Sequence, residues 1–128
     1  MAPPSGRTLA VGTVENWQEQ LRRGGLELAI LLSVARHPRY GLEIINHLDA
    51  LTDLVVTEGT IYPILARLNR DGWLASEWRE EGSHPRKYYR LTDRGRTRLA
   101  YMTDSWKDFA AKLNRLIVAA QGDGNETH

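Results

Sequence analysis

The sequence predicts a mainly α fold with a small β-hairpin, arranged as a winged helix-turn-helix plus a long C-terminal dimerisation helix. Three observations predict it. Apolar residues recur at helical spacing in successive segments up to Leu68. The period then changes at Trp73, where two aromatic-rich stretches flank a polar turn. Finally, an apolar heptad pattern runs from Leu99 to Ala120. Helices joined by a short turn and followed by a hairpin make the winged form of the motif.

Bulk properties narrow the class further. A chain of 128 residues fits one compact domain with tails. The net charge of +1 says nothing about nucleic acid, so the positions of the charges must decide. With no cysteine there is no disulfide, thiolate metal site or cysteine nucleophile. The start, Met1 to Arg7, lacks the apolar stretch of a signal peptide, and Leu28–Leu32 with Val34 and Ala35 is too short to span a bilayer. A cytoplasmic protein that does not touch membranes is expected.

Residues 1–12, rich in Pro, Gly and Ser, read as a flexible N-terminal arm. Residues 13–91 read as the winged domain with an N-terminal helix. Thr13 is placed to cap that helix, Val14, Trp17 and Leu21 give it an apolar stripe, and Gly24-Gly25 ends it. Leu26–Arg36 is apolar nearly all round, as a central buried helix is, and His37-Pro38 stops it. Tyr40-Gly41 opens the next helix, with Gly41, Ile44, Ile45, Leu48 and Leu51 inward. After a connector, Thr57 caps a helix whose buried stripe is Ile61, Ile64, Leu65 and Leu68, and Asp71-Gly72 terminates it. Trp73–Glu80 and Arg86–Leu91 form a hairpin around Glu81-Gly82-Ser83-His84-Pro85, with Tyr89 facing in and Tyr88, Arg90 and Arg86 facing out. Thr92-Asp93 caps the final helix, residues 92–120, and residues 121–128 read as a frayed polar tail.

The helix after Thr57 carries the most functional information. Opposite its buried stripe lie Gly59, Pro63, Ala66 and Arg70, flanked by Thr60 and Arg67 on one side and Tyr62 on the other. An ordinary solvated face would carry more Glu and Lys and would avoid Gly and Pro, which weaken helices. Small residues on a crest admit a groove floor, while Thr, Tyr and Arg beside it reach bases and phosphates. Pro63 deletes a backbone hydrogen bond at a cost of about 3 kcal/mol. The helix is nevertheless begun at Thr57-Glu58, because the cap is good and Ile61 joins the stripe. Arg79, Arg86, Lys87, Arg90, Arg94, Arg96 and Arg98 concentrate on the hairpin and the helix after it, a phosphate-binding footprint, with His84, Arg86 and Lys87 at the tip. The expected DNA-contacting set is Thr57, Glu58, Thr60, Tyr62, Pro63, Arg67, Arg70, His84, Arg86 and Lys87, and the partner is double-stranded DNA.

Leu99, Met102, Trp106, Phe109, Leu113, Leu116 and Ala120 alternate spacings of three and four, as in a helix packed lengthwise on another. A homodimer is the economical reading, with Val14, Trp17 and Leu21 completing the interface. Two other classes are weaker. An enzyme would need chemistry that is missing: His37, His47, His84 and His128 are scattered, no phosphate loop or paired carboxylates occur, and no catalytic residue, metal or cofactor is expected. A winged helix serving protein–protein contacts alone is the other alternative, and retardation of duplex DNA that weakens steeply with salt separates it from a DNA binder.

Taken together, Gly25-Leu26-Glu27-Leu28, Tyr40-Gly41-Leu42-Glu43-Ile44, Thr57-Glu58-Gly59-Thr60-Ile61-Tyr62-Pro63, Arg67-Leu68, Asp71-Gly72 and Arg86-Lys87-Tyr88-Tyr89-Arg90-Leu91-Thr92 closely resemble the PadR-like transcriptional regulators, over about Gly25 to Leu116. The resemblance implies a homodimeric regulator, usually a repressor, that binds an inverted-repeat operator and is often released by a small molecule. It also implies tolerance of a proline at Pro63. The single C-terminal helix is similar to the smaller branch of the family. In multidrug-sensing relatives a tryptophan on this helix stacks on flat aromatic ligands. By that likeness Trp106, with Trp17, Met102 and Phe109, is the expected site for a small aromatic effector.

Overall fold

The structure is a computed structural model that describes the backbone of residues 2–126 and the side chains of residues 16–122. Its elements follow in the order α1 (Ala2–Ser33), β1 (Arg39–Tyr40), α2 (Gly41–Thr52), α3 (Glu58–Arg70), β2 (Leu74–Glu81), β3 (His84–Leu91) and α4 (Asp93–Glu126). Helices, hairpin and long final helix thus occur in the predicted order. The antiparallel sheet runs β1-β3-β2.

The second half of α1 passes through the centre of the domain. Ile30 and Leu31 meet Ile44 of α2 and Ile61, Leu65 and Leu68 of α3, all wholly removed from solvent, and Leu74, Tyr89 and Leu91 of the hairpin close the core. The Ser33 hydroxyl, buried here, donates to the Ile30 carbonyl at 2.6 Å, and no buried side-chain nitrogen or oxygen is left unpaired among the described residues. α3 begins at Glu58, as its cap and stripe predict, and carries Pro63 within it.

Several sequence expectations need correction. α1 is one helix across the expected arm and the expected break at Gly24-Gly25. Glycine costs a helix about 1 kcal/mol but does not stop it when burial of Leu26 to Val34 comes next, and Pro3-Pro4 lie in the first turn, where proline's missing N–H is harmless. The side chain of Val14 lies outside the described residues. α4 continues past Ala120 to Glu126, because polar residues lower burial without ending a helix. Leu51 is exposed, since α2 turns its last residues away from the core. The sheet has a third strand: Arg39 and Tyr40 pair with Tyr89 and Tyr88, a two-residue contact without a sequence pattern of its own. The hairpin turn is only Gly82-Ser83, with Gly82 at φ 61°, so His84 and Pro85 belong to β3. Proline is tolerated there because β1 does not extend that far and β3 has an open edge.

Two glycines sit at close approaches, Gly95 against backbone and Gly41 against a side chain. Thr92 caps α4: its Oγ1 accepts from Gly95 N–H at 2.9 Å while its hydroxyl donates to the Gly72 carbonyl at 2.7 Å. That draws the first turn of α4 against the Gly72-Trp73 turn that leads into β2, where a Cβ on Gly95 would collide with the Trp73 carbonyl oxygen. Gly41 likewise lies under the Tyr62 ring, which a Cβ would meet at 2.5 Å.

Candidate nucleic-acid interface

α3 presents Gly59, Pro63, Ala66 and Arg70 to solvent, the crest the helical period foresaw. Thr57 stands at the N-cap with extended backbone, but its hydroxyl donates to Thr60 Oγ1 at 3.2 Å and caps no amide. The first-turn N–H groups of Glu58 and Gly59 have no acceptor within the helix and give its end a partial positive charge. Pro63 has no N–H to offer, so the Gly59 carbonyl is likewise without its helical donor.

On one flank, Tyr62 leans over Gly41 towards the hairpin. Partial burial, then the neighbouring Glu58 carboxylate, push its hydroxyl above the ordinary phenol range. Between α3 and the hairpin lies a cleft of about 450 Å³ where Tyr62, Trp78, Arg86 and Lys87 converge. Trp78 and Lys87 are directly opposed across the β2–β3 ladder, with the Lys87 ammonium 5.9 Å from the centroid of the exposed indole. The sequence reading missed Trp78. Its signal was alternation from inward Leu74, which puts Trp78 on the same sheet face but beyond the reach of the core.

Tyr89 is buried inward as predicted, and burial raises its pKa, with a smaller contribution from Tyr62. Tyr88 occupies the opposite face yet is buried too. The Tyr40 ring meets it edge-on at 5.3 Å, the Arg79 guanidinium covers it at 4.3 Å, and its hydroxyl donates to Glu81 Oε1 at 2.6 Å. That hydrogen bond, chiefly, pushes the Tyr88 pKa up to about 12.

Much of the counted positive charge is committed within the fold. Arg94 and Arg98 lie 4.8 and 4.6 Å from the centroid of the Trp73 ring. Arg96 donates to the Ala35 carbonyl, and Arg79 pairs with Glu77 at 2.9 Å. Arg86 lies over Tyr40 and 3.8 Å from Glu81, so only part of its charge is free. Arg67, placed by sequence beside the crest, instead donates to Glu27 Oε1 of α1 at 3.3 Å, while Arg98 of α4 donates to Oε2 of the same carboxylate at 2.8 Å. Arg70, His84, Lys87 and Arg90 have no carboxylate nearer than the 4.0 Å between Arg70 and Asp71, among the described residues. Lone Glu27 within an apolar helix was the signal that an internal ion pair existed.

The other predicted residues fall on a separate face. Trp17 and Leu21 of α1 and Trp106, Phe109, Leu113 and Leu116 of α4 are all exposed. Leu99 and Met102 instead pack against the domain's own core, so the open part of the seam starts at Trp106. Among the described residues no cluster suits a metal ion, and no helix is long and apolar enough to cross a membrane.

Comparison with known proteins agrees with this fold. The model described as the Transcriptional regulator PadR-like family matches residues 30–101. A PadR-like transcription factor from Bacteroides fragilis is 40% identical with a TM-score of 0.68, covering 79% of this chain and 98% of that one. A PadR family transcriptional regulator from Eggerthella lenta DSM 2243 is 34% identical with a TM-score of 0.74, over 86% of this chain and 96% of that one. The Mycobacterium tuberculosis protein named Transcriptional regulator Rv3488 is 35% identical over 80 residues, 62% of this chain and 74% of its own length.

Proposed function

The chain belongs to the PadR-like family of transcriptional regulators, and from that premise we propose that it is a repressor that grips an inverted-repeat operator as a homodimer. The observation that carries the reading is the crest of small residues on α3 standing beside the Trp78–Lys87 face of the wing. With α3 in the major groove, Thr57, Glu58, Thr60, Tyr62, Pro63 and Arg70 lie at the bases and adjoining backbone, while His84, Arg86 and Lys87 of the wing meet phosphates. Arg67 acts from behind, holding α3 to α1 through Glu27.

A second copy covers the apolar face of Trp17, Leu21, Phe109, Leu113 and Leu116. Trp106 lies in that seam. Its bulk holds the helices apart and leaves a slot for a flat aromatic effector, with Trp17 and Phe109 as walls and Met102 at its core end.

Selection of bound sites from random duplex DNA, repeated with a library of aromatic small molecules, tests the reading: inverted repeats should be recovered, and an effector should release them. Recovery of no preferred sequence from the parent protein would refute it. The wing makes its own prediction. Lys87→Ala should shallow the dependence of log affinity on log salt by about one unit on any sequence. Arg86→Ala should change it by less, because Glu81 and Tyr40 already hold that guanidinium. An unchanged slope in both variants removes the wing from the interface.

A further inference from the structure

On the side of α3 away from the wing, a trough of about 430 Å³ separates it from α1. Thr57, Thr60 and Pro63 form one wall, Arg22 and Arg23 the rim of the other, and Leu26 and Ile64 lie deeper. Resting on the DNA-binding reading above, we propose that this trough receives the sugar–phosphate backbone on the far side of the major groove, with Arg22 and Arg23 as a second phosphate clamp.

Position, free charge and helical phase support this. The trough is continuous with the reading face, since Gly59 and Pro63 of the crest also line it. A helix lying in the major groove has a phosphate strand on either side. The wing serves one strand, and α1 stands where the other would pass. Arg22 and Arg23 are exposed and have no carboxylate within 4.0 Å among the described residues. Of the two acids that also line the trough, Glu27 is neutralised by Arg67 and Arg98, leaving Glu19 alone against the two arginines. The Thr60 hydroxyl, which accepts from Thr57 and keeps its own hydrogen to donate, and the open first-turn amides of α3 add donors on the opposite wall. Helical phase separates the duties of α1: Arg22, Arg23 and Leu26 face α3, whereas Trp17 and Leu21 lie on the opposite side and stay free for a second copy.

The test is the salt dependence of binding to random-sequence duplex DNA and to the selected site. Loss of two phosphate contacts flattens the slope by about 1.8 units, so between 50 and 200 mM salt the parent should lose about tenfold more affinity than Arg22→Ala/Arg23→Ala. Arg22→Lys/Arg23→Lys should keep the parent's slope, because a point charge suffices for a phosphate. Circular dichroism and sedimentation should be unchanged in both variants. If Lys87→Ala flattens the slope and the arginine-to-alanine pair does not, the clamp is wrong and the DNA-binding reading stands. A loss confined to the selected site would mean base reading and would equally overturn it. A parent that does not retard DNA at all overturns both.

Discussion

Leu113→Glu should convert a dimer into a folded monomer that has lost the full operator but keeps a half-site. Leu113 lies halfway along α4 and takes no part in the domain's core, so the substitution leaves the fold of one chain intact. In a seam between two copies, the same carboxylate is stripped of water without a partner, at a cost of several kcal/mol in each symmetric position. Two half-sites held by one rigid particle gain about 10²–10⁴ in avidity over separate binding. That gain should vanish for the inverted repeat and leave half-site affinity near the parent's. Sedimentation of both proteins, with both DNA sites titrated in parallel, checks it. A variant that still sediments as a dimer and binds the full site places the interface elsewhere.

Gly95→Ala should be the most damaging single-methyl change in the domain. Judged by helix propensity, alanine at an early α4 position gains about 1 kcal/mol over glycine. Packing reverses the sign. The new Cβ would overlap the Trp73 carbonyl oxygen and come within 2.9 Å of Leu91 Cδ1. The carbonyl cannot retreat freely, since it accepts from Thr92 N–H at 3.2 Å, and Thr92 is the residue that caps α4. Forcing backbone from backbone costs about 3 kcal/mol, so thermal unfolding should fall by roughly 10 °C. A thermal scan that finds the variant more stable would show that α4 does not lie against the Trp73 carbonyl here.

What was legible in the sequence came from agreement between independent local signals. α3 was bounded at both ends because cap, acidic first turn, buried stripe and terminal Asp71-Gly72 coincide, and these outweighed Pro63. The exposed crest came with that helix, because the phase of Ile61, Ile64, Leu65 and Leu68 fixes everything opposite. β1 was illegible, since Arg39 and Tyr40 become a strand only where Tyr88 and Tyr89 are brought beside them. The role of Arg67 was hidden for a similar reason: its partner lies 40 positions away, on another helix. Counting arginines overstated the free charge of the hairpin region, because stacking on Trp73 and pairing with acids absorb several of them. Continuity of α1 through Gly24-Gly25 depends on the burial of the turns beyond it, which local propensity does not register.

The carboxylate of Glu27 has consequences for how this domain tolerates change. One oxygen serves α3 and the other α4, so positions 67 and 98 share a neighbour. Losing either arginine leaves the acid half-served, and losing the acid strands two cations at once. The costs of substitutions at 27, 67 and 98 therefore cannot sum: a chain that has already lost Glu27 has less left to lose at either arginine. A change at position 67 on α3 and one at position 98 on α4 should thus be epistatic, and the sequences open to one depend on the residue kept at the other.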